Sequence, residues 1–319
     1  MAKTVSSAIN EFLKEIEPTE SDREKIIKRH EYIRKTLRGK IRNDGRKPDF
    51  LSGSYARHTQ IRPVNDVDIM VIFDQEEYWD RFKSNTNEFL SFVENLLQET
   101  YPNSEIRIQS HSIGIKFKEI PDVDIVPSFL IDFDKEIYLI PNYDNNIYVN
   151  TSPPTHQALI SKHNKHLDQK FIPLIKLIKK WRDNNDVKFK SFHLEVFIME
   201  NVNKPFIKYQ EALLTFFKSA KDEIFNDCID PAGLSGNLAY YLTERQKEEL
   251  SRFFTSISAH IEKLINLENE GKHQEAISGW RKIFSHPFPH PETISIGSGI
   301  KKKTTKFPRK GYSPRFGSV

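Results

Sequence analysis

Two short stretches of this chain combine residue types and spacing that can do chemistry. Gly53-Ser54 is followed, after eleven residues, by Asp66-Val67-Asp68-Ile69. If that second stretch is a strand, side chains two apart share a face, which sets Asp66 and Asp68 ~7 Å apart with Val67 and Ile69 turned inward. Two carboxylates on one face among apolar neighbours are costly without a counter-charge. A divalent cation supplies it, and oxygen ligands alone select Mg²⁺ or Mn²⁺ over zinc. Gly53-Ser54 has a different task. Glycine lets backbone come close, and a serine hydroxyl with nearby N–H groups can hold a phosphate. A phosphate grip with a metal-binding carboxylate pair is the kit for phosphoryl transfer, and such chemistry needs a third carboxylate near the attacking hydroxyl. Asp122-Val-Asp124-Ile-Val-Pro127 offers it. Asp124 is preferred because Val123 and Ile125 flank it as core residues; Asp122, beside Pro121, is the second choice.

The elements that must position these residues are legible from periodicity. Residues 5–17 read as an amphipathic helix with Ile9, Phe12, Leu13 and Ile16 on one face. A second helix starts at Thr19, where Thr-x-x-Asp resembles a capping box, and runs to Arg38 with Ile26, Ile27, Tyr32 and Ile33 inward. Asp49 to Ser52 leads into the Gly-Ser turn. Strands are predicted over 66–73, 106–108, 112–117 and 123–130, with a helix over 84–101 between the first two. Beyond Pro153 the pattern turns helical, over roughly 154–167, 171–184, 191–202, 208–226, 243–269 and 272–284. Strands followed by a run of helices give an α+β fold. We expect N-terminal helices over 1–45 packing across two lobes, a catalytic core over 46–152, a helical domain over 153–285, and a basic, unpacked tail over 286–319.

Composition narrows the class. The 319 residues carry a net charge of +4. Seven Lys or Arg against one Glu lie between Ser285 and Val319, so that stretch holds +6 and the remainder −2. A body without excess positive charge argues against a long nucleic-acid partner, which needs many phosphate contacts. It suits small phosphorylated ligands. One cysteine, Cys228, excludes an internal disulfide and a cysteine-based zinc site, and we expect a cytoplasmic home. No apolar run is long enough to span a bilayer, and no secretory leader is evident.

The longer pattern Gly53-Ser54-Tyr55-Ala56-Arg57-x-Thr59-x-Ile61 with Asp66-x-Asp68 resembles the bacterial CD-NTases, relatives of cyclic GMP-AMP synthase and oligoadenylate synthase. Downstream, Asp124-Ile-Val-Pro-Ser-Phe129 is similar to that family's third-carboxylate strand. Leu174-Ile-Lys-Leu-Ile-Lys-Lys-Trp181 is similar to its long helix, and Lys190-Ser-Phe-His-Leu-Glu195 to its Lys-Ser-x-x-Leu-Glu helix start. Asp230-Pro-Ala resembles an Asp-Pro turn shared with oligoadenylate synthases. The likeness spans residues 20–285.

The resemblance implies a bilobed polymerase-β-like nucleotidyltransferase with NTPs in the cleft. It implies synthesis of cyclic di- or trinucleotide second messengers in anti-phage (CBASS) defence, with co-encoded regulators among the partners. We expect a monomer. On this reading Asp66, Asp68 and Asp124 hold two Mg²⁺ or Mn²⁺ ions per site. Gly53 and Ser54 grip the β- and γ-phosphates. Lys176 or Lys180 reaches the triphosphate, and Lys190 and Ser191, opening a helix, offer further phosphate contacts. Arg57 and Thr59 either brace the loop or touch ligand. Trp181 and His193 read as packed residues. Two other functions share these features: a linear oligonucleotide synthase or terminal transferase on RNA, and an inactive nucleotide-binding module.

Overall fold

The structure is a computed structural model, and it describes residues 4–119 and 121–292. Helices α1 (Val5–Ile16) and α2 (Glu20–Arg38) come first. Strand β1 (Asp49–Leu51) passes through a single helical turn, α3 (Gly53–Ala56), into β2 (Asp66–Ile72). Helices α4 (Gln75–Phe82) and α5 (Thr86–Thr100) follow. Next come β3 (Glu105–Ile108), β4 (Ile113–Lys116), the long β5 (Asp122–Asp132), and a hairpin of β6 (Ile137–Asn142) and β7 (Ile147–Thr151). The rest is helical: α6 (Pro153–His166), α7 (Phe171–Asn184), α8 (Ser191–Asn201), α9 (Tyr209–Glu223), α10 (Glu244–Asn269) and α11 (His273–Phe284).

The sheet runs β1-β2-β5-β4-β3, with β6 on the far half of β5 and β7 outside it. β2 and β5 are parallel; the other pairs are antiparallel. Strand alternation puts Val67, Ile69 and Val71 on one face. Ile69 and Val71 pack there with Val123 and Ile125 against Ile33 and Leu37 of α2 and Phe89, Val93 and Leu97 of α5. Val67 meets Ile26 of α2 and Tyr55 of α3 in a smaller cluster. The other face carries Asp66, Asp68, Met70 and Ile72. A separate core joins Val5, Ala8, Ile9 and Phe12 of α1 to the apolar sides of α7, α9 and α11. The fold is therefore α+β, with a mixed sheet and a helical half.

Capping explains the early helix starts. Thr19 accepts a hydrogen bond from the Asp22 N–H, and Asp22 accepts one from the Thr19 N–H, at 3.2 and 2.9 Å. Burial on α2 differs from the sequence reading in one respect. Ile26, His30, Ile33 and Leu37 face inward, while Ile27 and Tyr32 are exposed. Residues 26, 30, 33 and 37 trace one helical stripe; 27 and 32 fall on its flanks, and His30 takes a buried place on it. The start of the expected tail is also packed. Phe288 is fully buried, its ring 5.2 Å from Phe12 and 5.6 Å from Phe284. An aromatic side chain with a free apolar slot beside it docks even in a Pro-rich stretch. Most of the basic segment, from residue 293 on, lies outside the described residues.

Candidate active site

The parallel register of β2 and β5 sets Asp68 opposite Asp124 and Asp66 opposite Asp122. Because paired residues in register share a face, Asp66, Asp68 and Asp124 form one group of carboxylates at the end of two adjacent strands. Their environment opposes ionisation. Burial, then repulsion from Asp68 and Asp66, pushes Asp124 up to about 7. Burial, then Asp66, pushes Asp68 up to about 6. Asp66 is raised too, again first by burial, but it is exposed at the strand mouth and its shift counts for less. Asp122 is engaged differently: its carboxylate accepts the backbone N–H of Phe117 at 2.9 Å, which ties the β4–β5 connection.

Gly53 lies against this group. Its φ is +62°, in the left-handed region that favours glycine, and a Cβ there would come within 1.7 Å of the Asp68 Oδ2. Both conditions demand glycine at 53. The turn is tied to β2 by the Ser52 N–H donating to the Asp68 carbonyl at 2.9 Å. Ser54 stands next to Gly53, half-buried, within α3.

Arg57 and Thr59 are held in a buried charge cluster. Glu195, fully buried on α8, accepts from Arg57 Nε at 2.6 Å, from Lys179 Nζ at 2.6 Å and from Thr59 Oγ1 at 2.7 Å. Lys179 also donates to the Thr59 carbonyl at 3.2 Å. Burial alone would raise Glu195; Arg57 and Lys179 outweigh it and hold the carboxyl at about 2. The two cations also act on the catalytic face. Arg57 and Lys179 favour the charged form of Asp68, and Lys179 that of Asp66. The cluster therefore clamps the loop after Gly53-Ser54 onto α7 and α8 and supplies positive potential behind the carboxylates. Arg57 and Thr59 brace the loop. Lys179 and Glu195 were not singled out by sequence reading as site residues. Their signal was faint: Lys179 is one of three lysines on a helix that also carries Arg182 and Asp183, and Glu195 ends the Lys190-to-Glu195 stretch without any partner being marked for it.

The other expected contacts sit elsewhere. Lys176 is buried and ends on Glu17, the residue closing α1, with Nζ 2.5 Å from its carboxylate. This joins α7 to α1 and leaves Lys176 committed, because a buried ammonium takes the nearest carboxylate. Lys180 is half-buried. Lys190 caps α8; its Nζ donates to the exposed Tyr240 hydroxyl at 2.8 Å and lies over the Tyr240 and Tyr241 rings. The Ser191 hydroxyl accepts from Arg182 at 2.9 Å. A surface hollow of about 540 Å³ lies beside the α8 start, with Lys190, Arg182 and Tyr241 in its wall. His193 is buried against Tyr241, and burial pushes it down to about 4. Trp181 is core, edge-on to Phe217 at 4.7 Å. Cys228 is buried.

Among the described residues, no three His, Cys, Asp or Glu side chains converge as a ready-made metal cage. The donor set still suits a hard cation. It is all oxygen, it is crowded enough to lift two of its members toward neutrality, and it is open to solvent at Asp66. Mg²⁺ is commonly held by one or two carboxylates plus substrate phosphates, so an incomplete protein set is the expected form.

Residues 3–164, half of the chain, match the Second Messenger Oligonucleotide or Dinucleotide Synthetase domain family. The chain is 26% identical to a protein named as a probable cyclic nucleotide synthase from Bacillus cereus (strain VD146), across 92% of this chain and 100% of that one. It is 26% identical to a cyclic AMP-AMP-AMP synthase from Acinetobacter sp. (strain ATCC 27244 / 9458), across 90% and 86%. Its fold is similar to that of E. coli MS115-1 CdnC solved with ATP, with a TM-score of 0.73 over 89% of this chain and 98% of that one, at 19% identity. No helix among the described residues is long and apolar enough to cross a membrane.

Proposed function

The chain belongs to the Second Messenger Oligonucleotide or Dinucleotide Synthetase family of bacterial CD-NTases, and from that premise we propose that it joins NTPs into a cyclic di- or trinucleotide, releasing pyrophosphate, in CBASS-type anti-phage defence. The observation that carries the reading is the register of β2 and β5, which sets Asp68 against Asp124 with Asp66 alongside. Relatives named as cyclic nucleotide and cyclic AMP-AMP-AMP synthases support the ring.

In this reading the triphosphate lies on Gly53 and Ser54, where the Gly53 backbone sits directly against Asp68. The acceptor ribose hydroxyl lies at Asp124. Asp124 can take the hydroxyl proton as the new O–Pα bond forms and the bond from Pα to the bridging oxygen breaks. The electron pair leaves with pyrophosphate. Divalent cations held by Asp66, Asp68 and Asp124 would neutralise charge on the triphosphate and acidify the hydroxyl. Charge balance supports that need: three carboxylates offset by a net single positive charge from Arg57, Lys179 and Glu195 would repel a bare triphosphate. The Glu195 clamp holds the Gly53-Ser54 loop in place against α7 and α8, so phosphate grip and carboxylates keep one geometry. Lys190 and Ser191, at the start of α8, are the phosphate contacts this reading assigns to the helical half. A sheet lobe over 46–152 and a helical lobe over 153–285, bridged by the N-terminal helices, belong to this reading and are supported by their separate apolar cores. A CBASS regulator as partner is supported by the CdnC structure solved with a HORMA protein.

The test is incubation with each labelled NTP and Mg²⁺ or Mn²⁺, with mass analysis and digestion of the product. A product resistant to phosphatase and exonuclease is a ring; a sensitive one refutes cyclisation. The double variant Asp66→Asn/Asp68→Asn should lose product by more than ~10³-fold while staying folded, since the charge stabilisation removed is worth several kcal/mol. NTP consumption near the wild-type rate would put the site elsewhere.

A further inference from the structure

The third carboxylate has a partner that the mechanism above does not use. Gln109 follows β3 at the start of the tight turn to β4, where its N–H donates to the Ser112 carbonyl at 2.8 Å. Its side chain is held at both ends although the residue is exposed. Nε2 donates to Asp124 Oδ1 at 2.9 Å, and Oε1 accepts from the Ser112 hydroxyl at 3.0 Å. The Asp124 contact fixes which end of the amide faces it, because an ionised carboxylate only accepts and so takes the NH₂, leaving Oε1 for the Ser112 hydroxyl.

The surrounding backbone is shaped around this contact. Gly114 on β4 stands opposite Asp124 in the antiparallel register. A Cβ at 114 would come within 2.7 Å of Gln109 Nε2 and 3.2 Å of Asp124 Oδ1. Glycine there leaves the space through which the amide reaches the carboxylate. The turn is latched from outside as well. Tyr143 N–H donates to the Ser110 carbonyl at 2.8 Å, the Ser110 hydroxyl donates to Asp144 at 2.7 Å, and His111 Nδ1 donates to the Pro141 carbonyl at 2.9 Å. The β6–β7 connection thus holds the turn that holds Gln109.

We propose that Gln109 is a positioning residue for Asp124: it occupies Oδ1, fixes the carboxylate's rotamer, and leaves Oδ2 for the acceptor hydroxyl or a cation. The choice of an amide has a physical reason. Lys or Arg in this place would orient Asp124 but also neutralise it and compete with a bound cation, whereas an amide orients without a charge. The inference rests on the assignment of Asp124 as the third carboxylate.

Four proteins test it: wild type, Gln109→Ala, Gly114→Ala, and the double variant. Partners that orient a metal ligand typically carry 10- to 100-fold in activity, so Gln109→Ala should lower kcat by about that factor with NTP KM within about twofold. Gly114→Ala keeps the glutamine but displaces its amide, and should lose a similar factor. The double variant should lose no more than the worse single variant, because both changes break one contact. A readout without turnover runs alongside: Mn²⁺ titrated by electron paramagnetic resonance in the presence of a non-hydrolysable NTP. The weaker Mn²⁺ should loosen by about tenfold in Gln109→Ala. Losses that multiply in the double variant, or Gln109→Ala with kcat and Mn²⁺ affinity both within twofold of wild type, would overturn the proposal. If Gly114→Ala fails to fold, Ser112→Ala, which frees only Oε1, replaces it and should give a smaller kcat loss in the same direction; no loss counts against the proposal. If wild type itself turns over no NTP, the functional reading fails, and the Mn²⁺ titration alone decides the role of Gln109.

Discussion

Replacing Glu195 by Gln tests the clamp between the catalytic loop and the helices. Glu195 is fully buried and serves two cations, Arg57 and Lys179, themselves 8% and 3% exposed. Glutamine keeps the shape and can still accept from Thr59, but it leaves two buried positive charges without their carboxylate. Three effects compete. Removing the glutamate charge relieves its own desolvation, worth several kcal/mol. Stranding a buried partner costs about 3–5 kcal/mol, and here there are two. Part of that loss is recovered, because Arg57 and Lys179 already act on Asp68 and Asp66 and would turn further toward them. We therefore expect a net loss of about 3 kcal/mol, the lower end of the range for a broken buried pair, read from urea unfolding. At 2–4 °C per kcal/mol this corresponds to a fall of about 10 °C in Tm. Activity should fall further than stability explains, because cations drawn onto Asp66 and Asp68 compete with any metal there. A companion variant separates the two effects. Lys179→Met/Glu195→Gln removes one stranded charge and should recover part of the stability without recovering activity. Glu195→Gln with unfolding free energy within ~1 kcal/mol of wild type and full turnover would refute the clamp, since losses of that size are typical of surface changes.

Two further outcomes follow from the same geometry. Gly53→Ala places a Cβ 1.7 Å from Asp68 Oδ2 on backbone at φ +62°; product formation should fall about 10²-fold, as a 1 Å misplacement near the chemistry does, and kinetics within twofold of wild type would show that the turn adapts. The carboxylates set a pH dependence. Asp68 and Asp124 have folded values of about 6 and 7, above their ordinary 3.8, so the folded protein binds those protons more tightly and the metal-free protein should gain stability as pH falls from about 7 toward 4. Glu195 has the opposite sign. Its folded value of about 2 lies below the ordinary 4.5, so its contribution is lost as pH falls from 4.5 toward 2. Thermal melts of metal-free protein should therefore peak near pH 4–5, and Asp124→Asn should flatten the upper limb; a Tm that declines steadily from pH 7.5 to 5 would contradict the raised values.

What could be read from the sequence and what could not divide along a physical line. Period-2 and period-3.6 patterns are local, and they place Asp66 to Ile72, Asp122 to Asp132 and the helices α5 to α11 within a few residues of where they form. The elements that were missed have weak local signals. α4 is mostly polar, and β6 shows no burial alternation, with only Tyr138, Pro141 and Asn142 buried, ahead of a turn without Gly. The three aspartates were legible because carboxylates flanked by apolar strand residues have few uses. Their supporting residues were not, because support is a relation between distant positions. Glu195 lies 138 residues from Arg57, and nothing in either neighbourhood names the other.

Lys176 and Lys179 show the same limit most sharply. Both are lysines on one helix, three apart, in equally apolar surroundings, and both are buried. Read from sequence, Lys176 is chosen and Lys179 is passed over. What separates them is which acid arrives on the facing side: Glu17 from the end of α1 in one case, Glu195 from α8 in the other. Three residues on a helix advance the direction by about 300°, roughly 4.5 Å along the axis, so the two ammonium groups point to different neighbours and take different jobs. One ties the N-terminal helix to the helical half. The other stands behind Asp66. A buried lysine must find a carboxylate, and the fold, through the order in which α1, α7 and α8 pack, decides which lysine is left beside the catalytic face. That is why Lys179→Met should reach NTP turnover while Lys176→Met should reach stability first.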